Sequence, residues 1–94
     1  MKKAVMLFKA LGDETRLRII EFLLEGEKCV CEIYPYVKRA QSTVSIQLSK
    51  LESWGLISSK RDGKNIYYKI KCKAVIDLCK LTGIKKIPIR RIKC

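Results

Sequence analysis

Residues 41–54 read Gln41-Ser42-Thr43-Val44-Ser45-Ile46-Gln47-Leu48-Ser49-Lys50-Leu51-Glu52-Ser53-Trp54. Val44, Leu48 and Leu51 fall at i, i+4 and i+7, the spacing of one buried stripe on a helix. The polar side holds Gln41, Ser42, Thr43, Ser45, Gln47 and Lys50, crowded toward the N-terminus. Short hydroxyls and amides there can reach base edges and phosphates in a major groove, and the helix dipole favours phosphate. Gln47 is a candidate to pair with adenine. Ile46 sits among these polar residues and has two readings, contact with a thymine methyl or packing under the preceding helix.

Working outward, Lys38 to Ala40 form a turn, with Lys38 and Arg39 placed to hold backbone phosphate. A short helix is predicted over Glu32–Val37, with Pro35 fitting best in its first turn. Residues 28–31 read as a short extended piece. On the other side Gly55 ends the helix. Two strands are predicted, Ile57–Arg61 and Lys64–Lys71, joined by Asp62-Gly63 in a tight hairpin turn. Ile66, Tyr68 and Ile70 alternate with Tyr67 and Lys69, giving one buried and one exposed face. Lys60, Arg61, Lys64 and Asn65 surround the hairpin tip, a basic cluster suited to phosphate or minor-groove contact.

At the N-terminus, Ala4, Leu7, Phe8 and Leu11 recur at helical spacing, predicting a helix over residues 2–10. Gly12 breaks it and Asp13 is placed to cap the next helix. That helix carries the stripe Leu17, Ile20, Leu23 and Leu24 and stops at Gly26. A last helix is predicted over 73–82, with Val75, Leu78, Cys79 and Thr82 on one side and Gly83 closing it. The order is helix, helix, short strand, helix, turn, helix, hairpin, helix. The expected fold is therefore mainly α with a small β-hairpin wing, a winged helix-turn-helix. Residues 1–83 form this domain and 84–94 a basic C-terminal tail.

The 94 residues carry a net charge of +12, and almost all of it lies after residue 57. So basic a half fits a polyanion, and double-stranded DNA is the expected partner. No apolar run is long enough to span a bilayer, so no membrane partner is expected. Met1-Lys2-Lys3 is basic but leads into an amphipathic segment, unlike a signal peptide, and a cytoplasmic location is expected. There is no histidine. That removes imidazole ligands and His-based acid–base catalysis, and the carboxylates form no paired site, so an enzyme is not expected.

Five cysteines, 29, 31, 72, 79 and 94, are expected to be reduced thiols, the odd number arguing against a disulfide framework. Cys29 and Cys31 lie one residue apart at the start of the helix-turn-helix. Thiolates select soft ions, As(III), Sb(III), Cd(II), Pb(II) or Cu(I), over hard ones. A helix N-terminus nearby lowers a thiol pKa, which suits a metal sensor and a redox or persulfide sensor alike.

Residues 10–70 resemble the ArsR/SmtB repressors. The likeness is carried by Ala10-Leu11-Gly12-Asp13-Glu14-Thr15-Arg16-Leu17-Arg18-Ile19, by Lys28-Cys29-Val30-Cys31-Glu32-Ile33, and by Gln41-Ser42-Thr43-Val44-Ser45 with Leu48, Leu51, Gly55-Leu56-Ile57, Arg61-Asp62-Gly63-Lys64 and Tyr68. The resemblance implies a homodimer formed through the first and last helices, bound to an operator that is an imperfect inverted repeat. It implies release from DNA when a metal or metalloid binds at Cys29 and Cys31. Many members have His where this chain has Gln47, and arsenic-sensing members have a third cysteine where this chain has Tyr34. A third sulfur then comes from Cys72, Cys79 or Cys94, or the pair acts alone. Two other readings stand beside this one: a redox- or persulfide-responsive repressor, and a winged-helix protein-interaction module.

Overall fold

The computed structural model describes residues 2–82. The elements are α1 (Lys2–Leu11), α2 (Glu14–Leu23), β1 (Lys28–Cys29), α3 (Val30–Val37), α4 (Gln41–Ser53), β2 (Ile57–Asp62), β3 (Asn65–Ile70) and α5 (Lys73–Thr82). The architecture is the expected winged helix-turn-helix. The tail, 84–94, lies outside the described residues, as does Cys94.

Local chemistry sets the boundaries. The Asp13 carboxylate accepts from Arg16 N at 3.1 Å and caps α2. Gly55, at φ 78°, ends α4, and Leu56 N donates back to Leu51 O at 3.1 Å while Gly55 N donates to Glu52 O at 2.9 Å. That pair of bonds satisfies carbonyls the last turn would otherwise leave open.

Three expectations change in detail. The wing is a three-stranded antiparallel sheet of order β1-β3-β2, because Lys28 and Cys29 pair with Tyr68 and Tyr67 of β3. Tyr67 is therefore half-buried rather than exposed. The hairpin turn is Gly63-Lys64, since Asp62 already pairs with Asn65. Gly63 takes φ 68° while Lys64 stays outside the left-handed region, placing the permissive residue first in the turn. Finally, α3 starts at Val30, two residues early. Pro35 thus lies in its second turn and has no N–H to give the Cys31 carbonyl.

The core is built where the helices meet the sheet. Ile19, Ile20 and Leu23 of α2, Ile33 and Val37 of α3, Val44, Leu48 and Leu51 of α4, Leu56 and Ile57 at the start of the wing, and Val75 and Cys79 of α5 are all buried. The α2 stripe is rotated from the expected one, so that Leu17 and Leu24 are half-buried and Thr15 is buried. In α1 the buried residue is Ala10, while Ala4 and Phe8 face outward and Leu7 and Leu11 are half-buried. Val5, Phe8 and Leu81 are large apolar side chains left exposed on α1 and α5.

Candidate effector and DNA-reading site

Strand β1 delivers the chain to α3 with Cys29 as the N-cap residue, its backbone extended at φ −74°, ψ 145°. The Cys29 Sγ accepts from Cys31 N at 3.3 Å, and the Glu32 carboxylate accepts from Cys29 N at 2.9 Å. This is a capping box in which sulfur replaces the usual hydroxyl. Burial separates the two thiols: Cys29 is 4% exposed, whereas Cys31 is on the surface.

The Cys31 thiol is pushed above its ordinary value. The main cause is its hydrogen bond with the Cys29 side chain. Loss of water and repulsion from Cys29 and Glu32 add to it, and the backbone hydrogen bond works the other way. A helix N-terminus alone would lower this pKa, as the sequence leads one to expect; a second sulfur and a carboxylate beside it outweigh the dipole.

Among the described residues, no group of three metal-ligating side chains comes together. The candidates for a third sulfur separate clearly. Cys79 is fully buried in the core of its own chain, where burial raises its pKa. Cys72 lies just before α5, half-buried, and its backbone N donates to Leu56 O. Of the four described thiols, Cys29 and Cys31 are the pair brought together.

One turn beyond Cys31, Tyr34 reaches α4. Its hydroxyl lies 3.0 Å from Ser45 Oγ. Tyr34 also contributes to raising the pKa of Tyr68 on β3, after burial and the charge of Glu52. Glu52 in turn accepts from Ser59 of β2 at 2.7 Å. Tyr34 thus links the thiol-bearing helix to α4 through Ser45, and Glu52 links α4 to the wing through Ser59. The family resemblance presents Tyr34 only as the place of an absent cysteine, and the sequence gives no sign of this link.

The predicted readers on α4 divide into two sets. Gln41, Ser42, Ser45 and Lys50 are exposed, while Thr43 and Gln47 are half-buried. Gln47 Oε1 accepts from Arg16 Nη1 at 2.7 Å. Arg16 also donates from Nε to Ala10 O at 3.0 Å and from Nη2 to Lys9 O at 2.9 Å, and its guanidinium lies 5.2 Å from the centre of the Trp54 ring. One arginine thus ties α1, α2 and α4 together, and the Gln47 carbonyl oxygen is engaged in that tie. No local pattern announces the pairing, since the two residues are 31 apart in sequence.

Lys38 and Arg39 are exposed in the turn. Arg39 lies 3.7 Å from the Glu14 carboxylate. At the wing, Lys60 lies 3.7 Å from Glu27, while Arg61 and Lys64 make no ion pair among the described residues and Asn65 is exposed beside them. Ile46 is 54% exposed and so does not pack under α3. No helix among the described residues is long and apolar enough to cross a membrane.

Comparison with known proteins agrees with this geometry. The profile of the family described as bacterial regulatory protein, arsR family, matches residues 13–59. The chain is 39% identical over 74 residues to a probable mercury resistance operon repressor of Streptomyces lividans, covering 79% of this chain and 59% of that protein. It is 40% identical over 75 residues to a cadmium resistance transcriptional regulatory protein of Listeria innocua, covering 79% of this chain and 63% of that one. It thus spans about three fifths of the length of each. Among solved structures, the homodimeric winged helix-turn-helix DNA-binding domain of a possible ArsR-family regulator from Mycobacterium bovis superposes with a TM-score of 0.78, at 31% identity, covering 88% of this chain and 77% of that one.

Proposed function

We infer the function from one premise: the chain belongs to the arsR family of regulatory proteins, and its relatives there are transcriptional regulators rather than enzymes. The reading we propose is a dimeric, cytoplasmic repressor that binds an imperfect inverted repeat in double-stranded DNA. A thiophilic metal or metalloid, As(III), Sb(III), Cd(II) or Pb(II), releases it by binding at Cys29 and Cys31. The observation that carries this reading is the shared role of the Cys29 sulfur. It caps α3, and it is also one of two adjacent soft donors.

The physical consequence is competition. A thiolate held by a soft ion is a changed and weakened acceptor for Cys31 N, and Cys29 and Cys31 cannot keep the cap geometry while both turn toward one ligand. The start of α3 then shifts, and Tyr34, bonded to Ser45, carries that shift to α4. Affinity for the ion is coupled to loss of affinity for DNA, and the coupling acts equally in both directions. The exposed Val5, Phe8 and Leu81 on α1 and α5 support a second copy packing there. A two-fold dimer would set two copies of α4 into major grooves about 34 Å apart, or a multiple of that. The homodimeric state of the similar Mycobacterium domain supports a dimer here.

The test is fluorescence anisotropy of the reduced protein on labelled duplex from upstream of its own gene, titrated with arsenite and then with cadmium. Binding should weaken steeply with salt. Release by either ion should disappear in Cys29→Ser and Cys31→Ser. Serine is a strong N-cap, so Cys29→Ser keeps the helix start while removing the soft donor. Salt-sensitive binding that neither ion disturbs would overturn the metal reading. A second reading, a thiol redox switch, is favoured by the finding that two sulfurs and no third ligand come together among the described residues. Release by a thiol oxidant, with a defined disulfide found by mass analysis and no response to either ion, would establish it.

A further inference from the structure

Four large apolar side chains are exposed among the described residues: Val5, Phe8, Ile46 and Leu81. Three of them lie on α1 and α5, where a second copy of the chain accounts for them. Ile46 lies on α4, well away in sequence from that surface, and among the described residues nothing covers it.

Its position on α4 is specific. At 3.6 residues per turn, Ile46 lies about 170° around the helix from the centre of the buried stripe Val44, Leu48 and Leu51. It is therefore the middle of the outward face. Its neighbours at i−4, i+3 and i+4 are Ser42, Ser49 and Lys50, all exposed. The polar residues nearest it are less free than the sequence suggests. Gln47 gives its carbonyl oxygen to Arg16, Ser45 shares its hydroxyl with Tyr34, and Thr43 is half-buried. What α4 offers outward at its centre is a branched hydrocarbon ringed by small hydroxyls and one cation.

Such a surface matches one feature of the major groove. Guanine, cytosine and adenine present donors and acceptors there, while thymine adds a 5-methyl group, the apolar mark on the groove floor. A serine on each side lets the helix approach closely, and Lys50 is placed for phosphate. We propose, on the DNA-binding reading above, that Ile46 is a specificity-determining residue that reads a thymine methyl at a fixed position in each half-site. It selects thymine over cytosine by burying methyl against methyl, without a hydrogen bond. Each protomer contributes one such contact.

The experiment separates the methyl from everything else. The tightest-binding duplex is first recovered by in vitro selection from a randomised library with the wild-type protein. Each thymine in the half-sites is then replaced by deoxyuridine, which removes the methyl and leaves the Watson–Crick pairing intact. At one position per half-site this should weaken wild-type binding about fourfold, and about fifteenfold when both half-sites are changed, the scale expected for burying one methyl in each. Ile46→Ala should bind both duplexes with nearly equal affinity, and Ile46→Val should retain most of the discrimination. Folding of each variant is checked by circular dichroism; an exposed side chain leaves little reason for it to change. If no deoxyuridine substitution distinguishes the wild type from Ile46→Ala, Ile46 is not a thymine reader, even though salt-dependent DNA binding stands. Failure of the wild type to enrich any duplex removes the DNA-binding reading and this contact together.

Discussion

The two helices of the helix-turn-helix are built on different principles. Helix α4 runs 13 residues, has no side-chain cap at Ala40, and is held from the side by Val44, Leu48 and Leu51, all at most 1% exposed, and by the Gln47–Arg16 bond. Its C-terminus enters the left-handed region at Gly55, which has no side chain to strain. Helix α3 runs 8 residues and carries Pro35 in its interior. It depends on a sulfur cap at one end, and at the other end it places Lys38, a residue with a Cβ, at φ 58°. Both helices are packed, α3 through Ile33 and Val37, but α3 is shorter and its two ends rest on weaker devices. The difference teaches where a small ligand can act. A thiol–ion bond at Cys29 and Cys31 can rearrange the start of α3, whereas α4 answers only as a rigid body through the side chains that touch it.

The largest expected effect tests the anchored side. Leu48→Ala leaves a cavity at a site 1% exposed and should cost about 2–5 kcal/mol in urea or thermal unfolding. For a domain of this size that is a large share of the total stability. A loss below about 1 kcal/mol, outside the range for a buried leucine, would mean that α4 is not held by its stripe, and the contrast with α3 would collapse.

Much of this contrast is legible in the sequence, and the rest is hidden for a physical reason. The α4 stripe, the Gly55 stop, the Asp13 cap and the basic wing arise from local periodicity and local backbone preference, so a one-dimensional reading finds them. The early start of α3 is hidden because cysteine is not among the usual capping residues, and Pro35 pulls the expected boundary toward itself. The short strand before α3 is legible as an extended piece, but its pairing with β3 is hidden because two residues carry no alternation to fix a partner. In the site, Cys29 and Cys31 announce themselves by spacing. The Arg16–Gln47 and Tyr34–Ser45 links do not, because each joins side chains from separate helices whose approach is decided by packing. The outward turn of Phe8 is hidden for a related reason: an apolar stripe shows that a helix is covered, not whether its own chain or a second copy covers it.

A middle-sized effect sharpens the comparison at the side-chain tie between α4 and the N-terminal helices. Gln47→Ala removes the neutral acceptor of a charged donor, and hydrogen bonds of that kind are worth about 1.5–3 kcal/mol. Arg16 keeps its bonds to the Lys9 and Ala10 carbonyls and its place over Trp54, so the loss should fall at the lower end of that range. Denaturant unfolding gives the stability. Operator affinity should fall at the same time, because α4 loses a restraint on its orientation. Weaker DNA binding with unchanged stability would instead indicate that the Gln47 side chain leaves Arg16 to contact a base.

The smallest effect concerns the strained end of α3, and it has two components of opposite sign. Lys38 sits in the left-handed region as the C-cap, its N–H bonded to Tyr34 O at 3.1 Å. A side chain with a Cβ costs roughly 1 kcal/mol there that glycine does not. Lys38→Gly should therefore stabilise the fold by about 0.5–1 kcal/mol, reduced somewhat by the greater freedom of glycine in the unfolded chain. The same change removes a cation from the turn that precedes α4. If Lys38 holds a phosphate, operator binding should weaken about equally for all sequences, and the salt dependence should lose roughly one unit of slope per protomer. Lys38→Ala isolates the second component, because it deletes the charge and keeps the strain. Raised stability in Lys38→Gly alone, with a matching loss of salt slope in both variants, would show that the turn accepts backbone strain in order to hold a phosphate contact. An unchanged salt slope in both would leave the strain at Lys38 without a role in DNA binding and assign it to the geometry of the turn alone.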